Sequence, residues 1–152
     1  SPMTKAKITL PHGAWIIVAD GRRALFLHND GDELYPNLRT AQVLEHENPQ
    51  THEQGTDRPG RYSDTAEAHR SAFEETDWHR LEEDKFLARL ADLLKQGVHA
   101  GNFEKIVLVA PPTALGALRK VLDRQVLDHV IAEVGKDLTK QPVFDIEQAL
   151  TG

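Results

Sequence analysis

The chain has 152 residues, 28% charged and 39% hydrophobic, with a formal net charge of −6. That size and balance fit one globular domain with a sizeable core. They exclude a disulfide or thiolate metal site, because there is no cysteine. No apolar run approaches the ~20 residues that cross a bilayer, and the acidic surplus weighs against nucleic-acid binding by the whole surface while allowing a local basic patch.

The opening SPMTKAKITLPHG lacks the apolar core of a secretory signal, and Ser1-Pro2 ahead of Met3 reads as a cloning remnant. With no cysteine, the reducing cytosol is the expected home. Residues 14–19, AWIIVA, form an apolar run that predicts a buried strand. Asp20-Gly21 then separates it from a second run, ALFLH at 24–28. Asp-Gly between two such runs predicts an antiparallel hairpin with a tight primed turn, which needs positive φ. On this reading Asp20 and Gly21 are turn residues, and Arg22 and Arg23 are solvated. Asn29-Asp30-Gly31-Asp32 predicts a second turn. Residues 39–46, RTAQVLEH, predict a third strand with Ala41, Val43 and Glu45 on one side.

Residues 47–76 carry almost no apolar side chains and predict a long polar loop within the domain. Loops beyond ~15 residues in compact domains are usually functional or disordered. At its centre, Asp57-Arg58-Pro59-Gly60-Arg61 puts two guanidinium groups around a Pro-Gly turn. The loop reads either as a passive surface segment or as an arm that orders on a partner. Residues 77–97 predict the longest helix, capped by Thr76 or Asp77. Its apolar face is Leu81, Phe86, Leu90, Leu93 and Leu94, with Leu87 and Ala91 alongside. Glu82, Glu83 and Asp84 suit the dipole of its N-terminal half.

The clearest stretch is KIVLVAPPTALGALRKVL at 105–122. Ile106–Ala110 reads as a central strand buried on both faces. Pro111-Pro112 stops it, and Thr113 is placed to cap a helix to about Leu122. A short helical turn at 123–127 and a last strand at 129–134 follow, with His129 opening that strand as a half-buried residue. Residues 135–140, GKDLTK, then make a charged loop at the strand end, where ligands of open α/β sheets bind. Pro142 starts a closing helix through Leu150. The order β-β-β-α-β-α-β-α predicts a single three-layer α/β domain over 1–152. Its mixed sheet has about five strands, with an N-terminal hairpin and a parallel centre between helices.

Nucleotide-binding glycine motifs and a nucleophile elbow are missing from the sequence. His46-Glu47 and His52-Glu53 lack metalloprotease spacing and read as surface residues. No metal or cofactor is therefore expected. Arg119, Lys120 and Arg124 make a basic cluster after the central strand. It reads either as a solvated helix face or as a phosphate-contacting patch shared with Arg58, Arg61, Lys136 and Lys140. Lys136, Asp137 and Thr139 are candidates for a small polar site at the strand ends. Asp137 and Thr139 equally suit shaping the turn into the last helix.

Together, several segments resemble the bacterial host-attachment family, known as "protein required for attachment to host cells". They are Trp15–Arg22, Leu25-Phe26, Asp57–Arg61, Phe86–Leu94, Phe103–Arg119, Glu133–Thr139 and Pro142. They follow the family's order and cover nearly the whole chain. In the family's EV-x-KDLT stretch, Gly135 occupies the variable position. That family is similar in turn to the middle domain of archaeal and eukaryotic peptide-chain release factors and of Pelota. In release factors the loop before the long helix carries the Gly-Gly-Gln tripeptide that promotes peptidyl-tRNA hydrolysis. Here the loop holds Arg58-Pro59-Gly60-Arg61, and Gly-Gly-Gln occurs nowhere.

The resemblance implies a non-enzymatic cytosolic protein that engages RNA or the ribosome, with any part in host attachment indirect. Arg58, Pro59, Gly60 and Arg61 would form its loop contact, Lys136, Asp137 and Thr139 its strand-end contact, and Arg119 and Lys120 its basic helix. Two alternatives stay open. One is a regulatory module that binds a protein partner. The other is a hydrolase or nuclease using polar residues such as Asp64, His69 and Asp137, which must lie within hydrogen-bond reach of one another.

Overall fold

A computed structural model describes residues 7–46 and 72–152, with side chains of the long helix described from Asp77 onward. Strand β1 (Trp15–Ala19) holds the middle of a five-stranded sheet of order β3-β2-β1-β4-β5. On one side it pairs in parallel with β4 (Ile106–Val109), which pairs in parallel with β5 (Val130–Val134). On the other side β2 (Arg23–Asn29) and β3 (Leu38–Glu45) add two antiparallel neighbours. The position at the centre of the sheet is thus that of β1, with β4 beside it. Both have strands on each edge and cover on each face, which is why their sequences are continuously apolar instead of alternating.

Among the described residues, four helices cover the sheet: α1 (Ala72–His99), α2 (Pro112–Val121), α3 (Arg124–His129) and α4 (Val143–Thr151). Phe86, Leu90 and Leu94 of α1, Leu118 of α2 and Val126 of α3 pack on the face bearing Ile17, Phe26 and Leu108. Ile146 and Leu150 of α4, with Leu10, pack on the face bearing Ile16, Val18 and Val107. This is the expected three-layer α/β arrangement, with mixed sheet and parallel centre.

Several elements differ from the sequence reading. The β1–β2 hairpin forms, but its turn is not primed, and among the described residues positive φ occurs only at Gly13 and Gly101. The Asp20 carboxylate makes the turn instead. Its Oδ1 accepts the N–H groups of Arg22 (2.7 Å) and Arg23 (2.9 Å), while the Asp20 N–H donates to the Arg23 carbonyl (3.0 Å). A side-chain acceptor that mimics a backbone one relieves Gly21 of any left-handed conformation. Arg22 is exposed, but Arg23 is half-buried, with Nη2 3.8 Å from Glu45 Oε2.

Strand β3 carries a bulge. Phe26 faces Gln42 and Leu27 faces Thr40, so Ala41 is the extra residue. The bulge swaps the faces of the edge strand. Leu44 therefore joins one core and Leu38 the other, while Ala41 and Val43 are exposed. At the strand's end His46 Nε2 lies 3.4 Å from Glu82 Oε1 on α1.

Helix α1 spans Ala72–His99, so Thr76 and Asp77 lie inside it and not at its cap position. Residues 72–76 have adequate helix propensity without apolar periodicity, which hides them from a periodicity test. Glu82, Glu83 and Asp84 consequently sit well past the first turn, where the dipole has faded. Leu81 is 48% exposed, and from Asp77 onward the first buried side chain is Phe86. In α2 the cap position is Pro111, whose φ of −58° suits a helix start, and Thr113 lies within the first turn. The expected helical turn after α2 is α3, capped by Asp123, which accepts the Gln125 N–H. His129 closes α3 instead of opening β5 and donates to the Glu104 carbonyl at 2.8 Å. Pro142 stands at the cap of α4, just before its first turn. Among the described residues, no helix is long and apolar enough to cross a membrane.

Candidate functional site

Strands β1 and β4 run side by side in the same direction, yet the chain leaves them in opposite senses. From β1 it turns to β2; from β4 it passes through α2 and α3 to β5. Such a switch point leaves a crevice beyond the carboxyl ends of the two strands. Here it has a volume of about 420 Å³. The β1–β2 turn supplies Asp20, Gly21 and Arg22. Helix α1 supplies Arg80, Glu83, Asp84 and Leu87. Pro111, Thr113, Ala114 and Ala117 come from the start of α2.

The turn side of the crevice is tightly held. Asp20 Oδ1 is occupied by two backbone N–H groups, and Oδ2 accepts the Thr139 hydroxyl at 2.7 Å. Asp20 is thus a brace for the wall. Glu83 packs over Gly21 so closely that a Cβ there would lie 2.7 Å from Glu83 Cγ. A side chain at position 21 would have to displace the Glu83 side chain.

The opposite wall is the N-terminus of α2. Its first N–H groups, on Thr113 and Ala114, have no intrahelical acceptor, and Pro111 offers no capping side chain. The floor is apolar, from Leu87, Ala114 and Ala117, and the rim carries both signs of charge, from Arg22 and Arg80 against Glu83 and Asp84. Among the described residues lining the crevice, Thr113 supplies the hydroxyl and no imidazole stands beside it. The arrangement suits recognition of a polar group resting on an apolar surface.

Arg58, Pro59, Gly60 and Arg61 lie outside the described residues, as do Asp64 and His69. Gly135 packs near Pro112, so the 135–139 loop borders the crevice. Of its candidates, Thr139 is 2% exposed and turned inward to Asp20, Lys136 is half-buried and Asp137 is exposed. Arg119 does not join them. Its Nε and Nη2 donate to Glu133 Oε1 at 2.8 and 2.5 Å, tying α2 to β5. That carboxylate raises the Arg119 pKa above its ordinary value. Lys120 is exposed on α2, and Arg124 reaches 4.0 Å from Asp128 on α3. Among the described residues, no group of three or more histidine and carboxylate side chains is arranged to hold a metal.

Sequence reasoning missed Arg80, Glu83, Asp84 and Thr113. The available signal was topological: residues beyond the carboxyl ends of neighbouring parallel strands whose connections diverge.

An open mixed sheet with helices on both faces and a crevice at its switch point defines an open-sheet α/β domain. Residues 13–150, from just before β1 to the end of α4, match bacterial archaeo-eukaryotic release factor family 12. The chain belongs to that family. Among curated proteins, none matches it.

Proposed function

We propose that this protein is a non-enzymatic, cytosolic binding domain that engages RNA or the translation machinery. The observation that carries the reading is the release-factor family match, which runs through every strand and helix of the described fold. The switch-point crevice supports it by offering a recognition surface beside the Arg80–Leu87 stretch of α1. The sequence has no Gly-Gly-Gln, the tripeptide on which the release reaction of the resembled factors depends, so binding without hydrolysis is the natural role. Any part in attachment to host cells, as the likeness to the host-attachment family suggests, would follow indirectly from that binding. In this reading Arg58 and Arg61 make phosphate contacts, with Lys136 and Lys120 as further cations.

The test is sedimentation of the tagged protein through sucrose gradients of cell lysate at low and high salt, in growth and in stationary phase. Co-migration with ribosomal particles at low salt, lost at high salt, is the expected result, because phosphate contacts weaken steeply with salt. Arg58→Ala with Arg61→Ala then reduces co-migration at low salt. Arg22→Glu with Arg80→Glu does the same if the crevice takes part. Protein that stays at the top of the gradient in every condition overturns the reading.

A further inference from the structure

The turn between β2 and β3 lies at the end of the sheet opposite the crevice, since β2 runs antiparallel to β1. It is built around a fully buried side chain, Asn29. Asn29 Nδ2 donates to the carbonyls of Leu10 (2.9 Å) and Pro11 (3.1 Å), and its Oδ1 accepts the N–H groups of Gly31 and Asn37, both at 2.9 Å. Further out, Asp32 Oδ1 accepts the N–H groups of Leu34 (3.0 Å) and Tyr35 (2.8 Å). Gly31 passes so near the Tyr35 carbonyl that a Cβ would lie 2.1 Å from it. The backbone of this turn is therefore held in one shape.

What that shape presents is Leu34 and Tyr35, 81% and 79% exposed. No other large hydrophobic side chain among the described residues is as open, Phe144 coming next at 66%. Hydrogen bonding fixes the turn without these side chains, so the fold does not account for them. Adjacent aromatic and aliphatic groups on a pre-ordered backbone meet a partner with little further loss of entropy, and tyrosine is enriched among interface anchors. The surrounding charge is negative. Asp30 is matched by Arg39 at 2.8 Å, while Asp32 and Glu33 are exposed beside the tip. Such a rim repels nucleic-acid phosphates and complements lysine and arginine.

We propose that the Leu34–Tyr35 tip is an anchor that enters an apolar cleft rimmed by lysine or arginine on a protein partner. This surface is separate from the crevice, and the proposal does not depend on RNA or ribosome engagement there.

The experiment places a photoreactive benzophenone amino acid at position 37 of the full chain, beside the tip and outside its acidic rim, irradiates the cells that make it, and sequences the cross-linked peptides. The expected adduct is one protein, joined beside an apolar cleft with flanking lysine or arginine. Its yield falls about tenfold or more when Leu34→Ala and Tyr35→Ala are combined, at an unchanged urea midpoint, as expected of anchor residues. It also falls with Gly31→Ala, which keeps both side chains but displaces the backbone that carries them. An adduct to nucleic acid, to a second copy of this chain or to an acidic protein surface overturns the proposal. So does no adduct, or an adduct that survives the double substitution.

Discussion

The hydroxyl of Thr139 donates to Asp20 Oδ2 at 2.7 Å, joining residues separated by 119 positions. Through it the loop after β5 is fastened to the turn after β1, and the wall of the crevice is closed. Thr139→Val removes the donor while keeping the shape and leaves a carboxylate oxygen unpartnered. A hydrogen bond to a charged group supports a loss of about 1.5–3 kcal/mol. Asp20→Ala costs more, because it also frees the N–H groups of Arg22 and Arg23. Asp20→Asn falls between, keeping an oxygen for the turn. Urea midpoints at constant slope give this order, and a double-mutant cycle between positions 20 and 139 returns a coupling well away from zero.

Much of the architecture was legible because burial on both faces leaves a plain trace. The runs at 14–19 and 106–110 have no polar interruption, and the structure puts both in the middle of the sheet. The bulge at Ala41 left no such trace, since an inserted residue in a polar edge strand looks like ordinary sequence. The first turn of α1 was hidden because its sequence, AFEET, carries no apolar periodicity. The crevice was half legible. The strand-end rule pointed to the 135–140 loop, but Thr139's partner lies in another turn. Arg80, Glu83 and Asp84 are indistinguishable from a solvated helix face until β1 and β4 are known to be neighbours.

Asn29 offers a sharper stability test, because all of its hydrogen-bonding groups are used at zero exposure. Asn29→Ala strands two carbonyls and two N–H groups, for a loss of about 2–4 kcal/mol. Asn29→Asp keeps the acceptor but faces the Leu10 and Pro11 carbonyls with a carboxylate. That carboxyl would titrate above its unfolded value. The penalty is then small below pH ~4 and grows as pH rises past the unfolded carboxyl pKa. Urea unfolding of wild type and Asn29→Asp at pH 3.5 and pH 7 measures it. An equal gap at both values would show that the carboxylate is not held against those carbonyls.

Asp30 has its carboxyl below the ordinary 3.8, first through the Arg39 hydrogen bond and then through that from His28 at 2.6 Å. Because the folded pKa is lowered, the associated stability is present above the unfolded pKa and is lost as pH falls through the folded one. Carboxyl carbon chemical shifts followed against pH should put the Asp30 midpoint below that of a free aspartate. Arg39→Ala raises it most, and His28→Ala raises it less. An unchanged midpoint in Arg39→Ala would mean that the arginine is solvated and does not bridge the turn to β3.

Two helical glycines predict opposite signs for one substitution. At Gly116, inside α2, a Cβ meets nothing within 4 Å. Gly116→Ala therefore gains what glycine costs a helix, about 0.4–1 kcal/mol. At Gly97, inside α1, the same methyl would lie 2.2 Å from Phe103 Cε2 and 2.4 Å from Cδ2. That ring cannot step aside freely. It packs against Trp15 and Phe26 at centroid distances of 5.0 and 6.1 Å. Overpacking of this kind typically costs about 1–3 kcal/mol and outweighs the helix gain. Gly97→Ala should thus lower the urea midpoint while Gly116→Ala raises it. If both raised it, the Phe103 ring would have an alternative seat, and the aromatic cluster would be looser than its geometry indicates.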